Sequence, residues 1–237
     1  LIASEEPPWE LLLESARRFT LDEVRSLCAQ LPRPRVHRLH EVAQPRAAAT
    51  LVPVVDVDGE AGVIITKRPA TMLHHRGDWV FPGGRVDVDR DATSSDAARR
   101  EAEEELGIPA ERVDIVGQLD THGPIVTGFV IEVFVGVIDG TVPLVPDPRE
   151  VSEVSTIPLS HFMLGASFAV GRTAPEHEPG PSADGASTPS PGRDVAGGLA
   201  SFALANGDLL WGTQGEILYN LLDQLVTLRA ERKEAAG

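Results

Sequence analysis

Cysteine is almost missing from this chain. The single Cys28 excludes an intramolecular disulfide and fits a reducing cytoplasm. Basic residues are outnumbered: 21 Lys and Arg against 36 Asp and Glu leave a net charge of −15. That balance argues against binding to a nucleic-acid backbone. It does not exclude a phosphorylated small molecule, because a bound cation reverses the local charge. A long apolar run is also lacking. The longest stretch, Ile125 to Ile138, is interrupted by Thr127, Gly128, Glu132 and Gly136, which leaves it too short and too broken to span a bilayer. The opening LIASEEPPWE has neither the basic region nor the apolar core expected of a signal peptide. These absences set the expectation of a cytoplasmic protein with no membrane partner. The histidines form no H-x-x-x-H spacing, so a zinc site is not expected. No internal repeat is visible.

The chain has 237 residues, 42% of them apolar, enough for one large domain with additions. Residues 9–31 carry Leu11, Leu12, Phe19, Val24 and Leu27 at roughly helical spacing, and Thr20 to Glu23 forms a capping-box pattern. Pro32, Pro34 and Pro45 then predict an extended connector. Residues 47–56 and 61–67 read as strands of a hairpin turned at Asp58-Gly59, and Trp79 to Phe81 as a short strand. A helix over about 93–106 is expected, capped by Thr93 or Ser94 and ended by Gly107. Further strands are predicted at 112–119, 128–138 and 151–157, with a short helix from Pro158 to Leu164. Residues 171–198 are dense in Pro, Gly, Ser and Ala, which predicts a flexible excursion. Sheet-like sequence resumes from Phe202 to Trp211. A last helix follows from a second capping-box pattern, Thr213 to Glu216, with Ile217, Leu218, Leu221, Leu222 and Leu225 on one face. One central acidic helix and one late amphipathic helix among strands predict an α/β fold, with a mixed sheet packed between helices.

The segment FPGGRVDVDRDATSSDAARREAEEELGI, Phe81 to Ile108, carries the chemistry. A double-glycine turn leads into a helix bearing Glu101, Glu104 and Glu105 at i, i+3 and i+4, so the three carboxylates share one face. Such a face repels itself unless a cation sits among the charges. Hard divalent cations take oxygen ligands and are commonly shared with substrate phosphates. An acidic run by itself also fits a solvated helix face; the ordered combination of glycine turn, spacer and REAEEELGI is far more specific.

That combination resembles the signature of the Nudix hydrolases. Arg100, Glu101, Ala102, Glu103, Glu104, Glu105, Leu106, Gly107 and Ile108 fill its second half without a gap, and Gly84 matches its leading glycine. Where the family has a spacer glutamate, this chain has Ala92 and a longer spacer. Asp87, Asp89 and Asp91 are the alternatives, and the residues do not choose among them. The resemblance implies a Nudix-like α/β/α sandwich over residues 46–237, with residues 1–45 as an N-terminal helical extension and the 171–198 segment as an insertion. It implies hydrolysis of a diphosphate linkage using Mg²⁺ or Mn²⁺, with Gly84, Glu101, Glu104 and Glu105 at the metal. Arg100 is then structural, orienting carboxylates, with a phosphate contact as its alternative role, and Glu103 lies off the shared face. Glu150, in PDPREV, is a further catalytic candidate outside the signature. The stretch from Ile64 to Gly77 and the later Asp208 to Thr213 are similar to the coenzyme A diphosphatase branch, through Thr66, Arg68 and Gly77. Leu73 stands where that branch has an arginine. The resemblance thus implies a nucleotide diphosphate substrate met by Arg68, His75, Arg76, Gly83 and Gly84, with His74 as a further phosphate candidate. Hydrolysis of ADP-ribose or another nucleotide sugar, and a non-catalytic nucleotide-sensing module, are the alternatives. The N-terminal region and the last helix have enough apolar residues either to support a homodimer or to complete the monomer core.

Overall fold

Asp58 and Gly59 turn the chain as expected, both at positive φ (53° and 84°), the backbone that a two-residue hairpin needs. The structure, a computed structural model, describes residues 6–37, 44–72, 76–123, 128–171 and 199–236. The hairpin joins β2 (Arg46–Val57) to β3 (Glu60–Lys67). Around it an eight-stranded mixed sheet is built, in the order β1 (Val36–His37), β6 (Val113–His122), β7 (Phe129–Ile138), β2, β3, β4 (Trp79–Val80). β5 (Gly83–Arg85) joins through β2, and β8 (Glu153–Pro158) through β3. β1 runs parallel to β6 and β2 parallel to β7; the remaining pairs of this sheet are antiparallel. A second, three-stranded sheet holds β9 (Phe168–Gly171), β10 (Leu199–Ala203) and β11 (Leu209–Trp211).

Period-two alternation divides the interior into two cores. Ala49 and Leu51 of β2, Ile64 of β3 and Phe134 of β7 face α2 (Ser94–Leu106), which covers them with Ala97, Ala98, Ala102 and Leu106. Val52, Val54, Val63, Ile65, Val133 and Val135 face the opposite side, packing with α1 (Leu21–Cys28) and α4 (Gly212–Ala236). The architecture is therefore the expected α/β fold with a mixed sheet between helices. A four-residue helix, α3 (Leu159–Phe162), follows β8.

The structure departs from the expected elements at several places. The helix predicted over 9–31 is confined to α1, after a short 3-10 turn at Glu14–Arg17. Thr20 and Glu23 do form a capping box, and a capping box marks where a helix begins. Leu11 and Leu13 are exposed, while Trp9 and Phe19 enter the core shared with α4. The extended connector contains β1. β5 was missed because two glycines argue against a strand, and β9 because four residues give too short a pattern. α4 starts at Gly212, ahead of the Thr213 pattern, and Glu216 accepts from the Ala200 amide at 2.7 Å. Its five expected apolar residues are all buried. Residues 172–198, most of the expected excursion, lie outside the described residues. Among the described residues no helix is long and apolar enough to cross a membrane.

Candidate active site

The loop after β4 and the first two turns of α2 are fixed by local chemistry. Thr93 caps α2 and exchanges hydrogen bonds with Asp96, and Gly107 ends it at φ 68°, a left-handed position that favours glycine. Gly83 and Gly84 pair with Thr50 and Ala49 of β2. A Cβ on Gly83 would stand 2.5 Å from the Ala49 carbonyl oxygen, and one on Gly84 would stand 2.5 Å from Cδ of Glu101. Only glycine lets β2 come this close at the first position and lets the Glu101 carboxylate lie over the backbone at the second. Gly84→Ala is therefore expected to keep the fold, displace the Glu101 carboxylate and lower turnover by about 10-fold or more. Circular dichroism with turnover measurement checks this; wild-type turnover would mean that the Glu101 position is unimportant.

The three glutamates share a face, as expected, but with graded burial. Glu105 is buried, Glu101 is nearly so, and Glu104 is half-exposed. Glu105 Oε1 accepts from the Gly83 amide at 3.3 Å. Burial pushes the Glu105 carboxyl up to about 8; Glu101 and Glu150 push the same way, while the Gly83 amide and the Arg68 guanidinium oppose. Burial likewise raises Glu101, with Arg100 opposing and Glu104 and Glu150 assisting. Glu150 itself is exposed. It is brought to this end of α2 because Val145 and Asp147 donate backbone hydrogen bonds to the Leu106 and Glu105 carbonyls. All four acids thus act on one region of space.

A cation does sit among these charges, and it is Arg100. Its guanidinium bonds Asp91 twice at 2.9 Å, Glu101 at 2.7 Å, Glu104 at 2.9 Å and the Arg85 carbonyl at 3.1 Å. Arg90 adds a 2.6 Å bond to Glu104. Self-repulsion on the helix face is thereby relieved by side chains, so repulsion alone does not require a metal. Among the described residues no three His, Cys, Asp or Glu side chains form a ready ion cage. The donor set still fits a divalent cation. Among the described residues no arginine hydrogen bond holds Glu105, and Glu101 and Glu150 add to burial a negative potential at its carboxyl that would favour a hard cation.

Of the three spacer carboxylates, Asp91 is the one that meets Arg100. Asp91, its side chain only 2% exposed, is the carboxylate that grips Arg100 and also accepts from the Asp87 amide at 2.8 Å. The paired guanidinium holds the Asp91 carboxyl below its usual range. Ala92, at the family's glutamate position, is exposed.

Among the substrate candidates, Arg68 is near enough for its charge to oppose, as the smallest contribution, the upward shift of the Glu105 carboxyl. The Gly77 amide closes its turn onto the Arg68 carbonyl at 3.1 Å, and the Arg68 amide donates to the Asp78 carbonyl at 3.0 Å. Among the described residues its buried Nε finds no hydrogen-bond partner. Arg76 is exposed and donates to the Met72 carbonyl at 2.7 Å within its own loop. Leu73, His74 and His75 lie outside the described residues. Thr66 is buried and donates to the Val80 carbonyl at 3.3 Å, a role in the β3–β4 pairing. Sequence reading missed Arg90 and Gln214, whose contacts cross between separate elements and leave no local pattern.

A NUDIX domain model matches residues 44–174, more than half of the chain, and the chain belongs to the Nudix hydrolases, enzymes that cleave phosphoric anhydrides and generally use divalent metal ions. Over 145 residues it is 44% identical to the uncharacterized Nudix hydrolase NudL of Cronobacter sakazakii, covering 61% of this chain and 72% of that one. Over 147 residues it is 40% identical to NudL of Escherichia coli K12, covering 62% and 73%. A crystal structure of a MutT/nudix family protein from Enterococcus faecalis aligns over 96% of this chain and 76% of that chain, with a TM-score of 0.47 at 16% identity.

Proposed function

We propose that this enzyme cleaves the diphosphate of coenzyme A or its thioesters, releasing 3′,5′-ADP and a phosphopantetheine product. The observation that carries the reading is Arg68: among the described residues its buried Nε has no hydrogen-bond partner, and its charge is felt at Glu105. An arginine so placed matches a phosphate-rich ligand, since its planar fork gives two hydrogen bonds to one phosphate. Glu101, Glu104, Glu105 and the Gly84 carbonyl would hold Mg²⁺ or Mn²⁺. Such an ion, when bound, neutralises charge on the phosphate oxygens. Gly83 and Gly84 let the backbone approach the diphosphate. Glu150, exposed and acting on the same region as Glu101 and Glu105, would take a proton from the attacking water. Arg76 and His75 would complete the phosphate contacts from the loop that follows Arg68. On this reading residues 46–237 form the hydrolase domain, and residues 1–45 are an addition that shares its core through Trp9 and Phe19. The unpaired, buried Cys28 fits a cytoplasmic setting.

The test is phosphate-bond cleavage of coenzyme A, acetyl-coenzyme A, ADP-ribose and NADH with Mg²⁺ or Mn²⁺, followed by Arg68→Ala. Losing a hydrogen bond to a charged group costs roughly 1.5–3 kcal/mol, or about 10- to 150-fold in kcat/KM. That loss is expected on coenzyme A and a smaller one on dephospho-coenzyme A, if Arg68 meets the 3′-phosphate. Small, equal losses on both, or faster cleavage of ADP-ribose, would move the assignment to nucleotide sugars.

A further inference from the structure

The end of the sheet that carries the glycine loop is bolted to the C-terminal part of the chain by two side chains that the family signature does not contain. The β3–β4 ladder stops at Val80, so the next amide, that of Phe81, lacks a strand partner in that ladder. It donates instead to Gln214 Oε1, in the first turn of α4, at 3.0 Å. Phe81 is buried, and a buried amide must be satisfied by something. One residue on, the Pro82 carbonyl accepts from the Leu51 amide at 2.9 Å, and the Gly83 amide turns to Glu105. Three consecutive residues of the loop are therefore tied to three different elements: α4, β2 and α2. Only the α4 tie is a neutral side-chain contact made from outside the signature.

A second bolt lies beside it. Asp208, in the turn between β10 and β11, accepts on one oxygen from Lys67 Nζ at 2.7 Å, Trp79 Nε1 at 2.8 Å and Asn206 Nδ2 at 3.0 Å. Lys67 directly precedes Arg68, and Trp79 stands two residues before Phe81. The hydrogen bond from Lys67 holds the Asp208 carboxyl below its usual range, so the bridge is charged at neutral pH. The strand ends that present Arg68 and the glycine loop are thus both referenced to the segment from Asn206 to Gln214.

We propose that Gln214 is a positioning residue for hydrolysis: by accepting from the Phe81 amide it sets the height of the Phe81–Gly84 loop against Glu101 and Glu105. The proposal rests on the reading of Gly84 and the glutamates as the hydrolytic site. It places part of the catalytic geometry under the control of α4, more than 100 residues beyond the signature in the sequence.

Two variants separate positioning from bulk stability. Gln214→Leu keeps the size and removes the acceptor; Gln214→Glu keeps an acceptor. Turnover is measured on whichever of the four panel compounds the wild type cleaves fastest, and exchange of the Phe81 amide is followed by NMR. Gln214→Leu is expected to lower kcat by about 10-fold, the scale of one lost hydrogen bond with a buried amide left unmet, while KM changes by less than about 3-fold. Its Phe81 amide is expected to exchange at least about 10-fold faster than in the wild type. Gln214→Glu is expected to restore both. Wild-type kcat and a protected Phe81 amide in Gln214→Leu, or equal losses in both variants, would overturn the proposal. A wild type inactive on all four compounds counts against the coenzyme A reading alone, and amide exchange then decides the Gln214 contact by itself.

Discussion

Glu105→Gln is expected to be a folded protein, more stable than the wild type at alkaline pH, whose turnover is lower by about 100-fold or more. The two effects share one cause. Glu105 is 3% exposed, and its carboxyl is raised from 4.5 to about 8. An acid with a raised folded-state pKa binds its proton more tightly in the native state than in the unfolded one. Its contribution to stability is therefore full below about 4.5 and is lost as pH rises toward about 8. A rigid site would convert that shift to roughly 5 kcal/mol; relaxation and water entry bring the expected gain of the glutamine variant at pH 8 to on the order of 2 kcal/mol. The side-chain amide oxygen of the variant would still accept from the Gly83 amide, so the loop is not released. Melting temperatures from pH 5 to 9 in chelator should fall more steeply for the wild type than for the variant. Adding Mn²⁺ at pH 8 should raise the wild type and leave the variant nearly unmoved, because a side chain that cannot ionise offers no charge to the ion. Coincident melting curves across this range would remove the argument for a charged, buried ligand. Glu104→Gln provides the contrast. Glu104 is half-exposed and held by Arg90 and Arg100, so its loss should cut turnover on a similar scale without any gain in stability.

The elements legible in the sequence are those whose signal is local. The Asp58-Gly59 hairpin, the Thr93 cap, the Gly107 stop and the apolar face of α4 each depend on residues a few positions apart, and each is found in the structure. The spacing of Glu101, Glu104 and Glu105 was legible for the same reason. What it could not convey is the gradient across them. Glu105 is buried because α2 lies on β2 and β5, while Glu104, one position earlier on the helix, is half-exposed. The short strands escaped because their pairing is non-local: β1 finds β6 some 85 residues away, and the glycine strand β5 is defined by β2 alone. The same holds for Gln214, which is an ordinary helical glutamine until Phe81 is placed opposite it. The charge argument was legible in part. It required a cation on the acidic face, and Arg100, adjacent in sequence to Glu101, supplies one; the case for a metal rests instead on the negative charge that Glu101 and Glu150 direct at Glu105.

Asp91→Ala is expected to be the most destabilising of the single changes considered, and to inactivate the enzyme without touching a residue of the shared glutamate face. The Asp91 side chain is 2% exposed and that of Arg100 is 14% exposed, and two 2.9 Å bonds join them. Removing one partner of a buried pair typically costs about 3–5 kcal/mol, because the other is left charged and under-solvated. Arg100 retains Glu101, Glu104 and the Arg85 carbonyl, so the expected loss is nearer about 2–4 kcal/mol, or roughly 5–15 °C in Tm for a chain of this size. The released guanidinium would then turn more fully onto Glu101 and Glu104, competing with any cation for the same oxygens. A carboxyl held below its usual range stabilises above its unfolded pKa of about 3.8 and stops doing so as pH falls through the lower folded value. The difference in Tm between wild type and Asp91→Ala should therefore be widest near neutrality and shrink toward pH 3. Asp89→Ala is the matched control. Asp89 lies in the same spacer, is exposed, and makes its hydrogen bond to Asp87 through its backbone amide, so its change should stay within about 0.5 kcal/mol of wild type. Thermal melts of the two variants at pH 7 and pH 3.5, with turnover at pH 7, decide the matter. Equal behaviour of Asp89→Ala and Asp91→Ala would mean that Arg100 is positioned by its glutamates alone, and that the spacer contributes no carboxylate to the site.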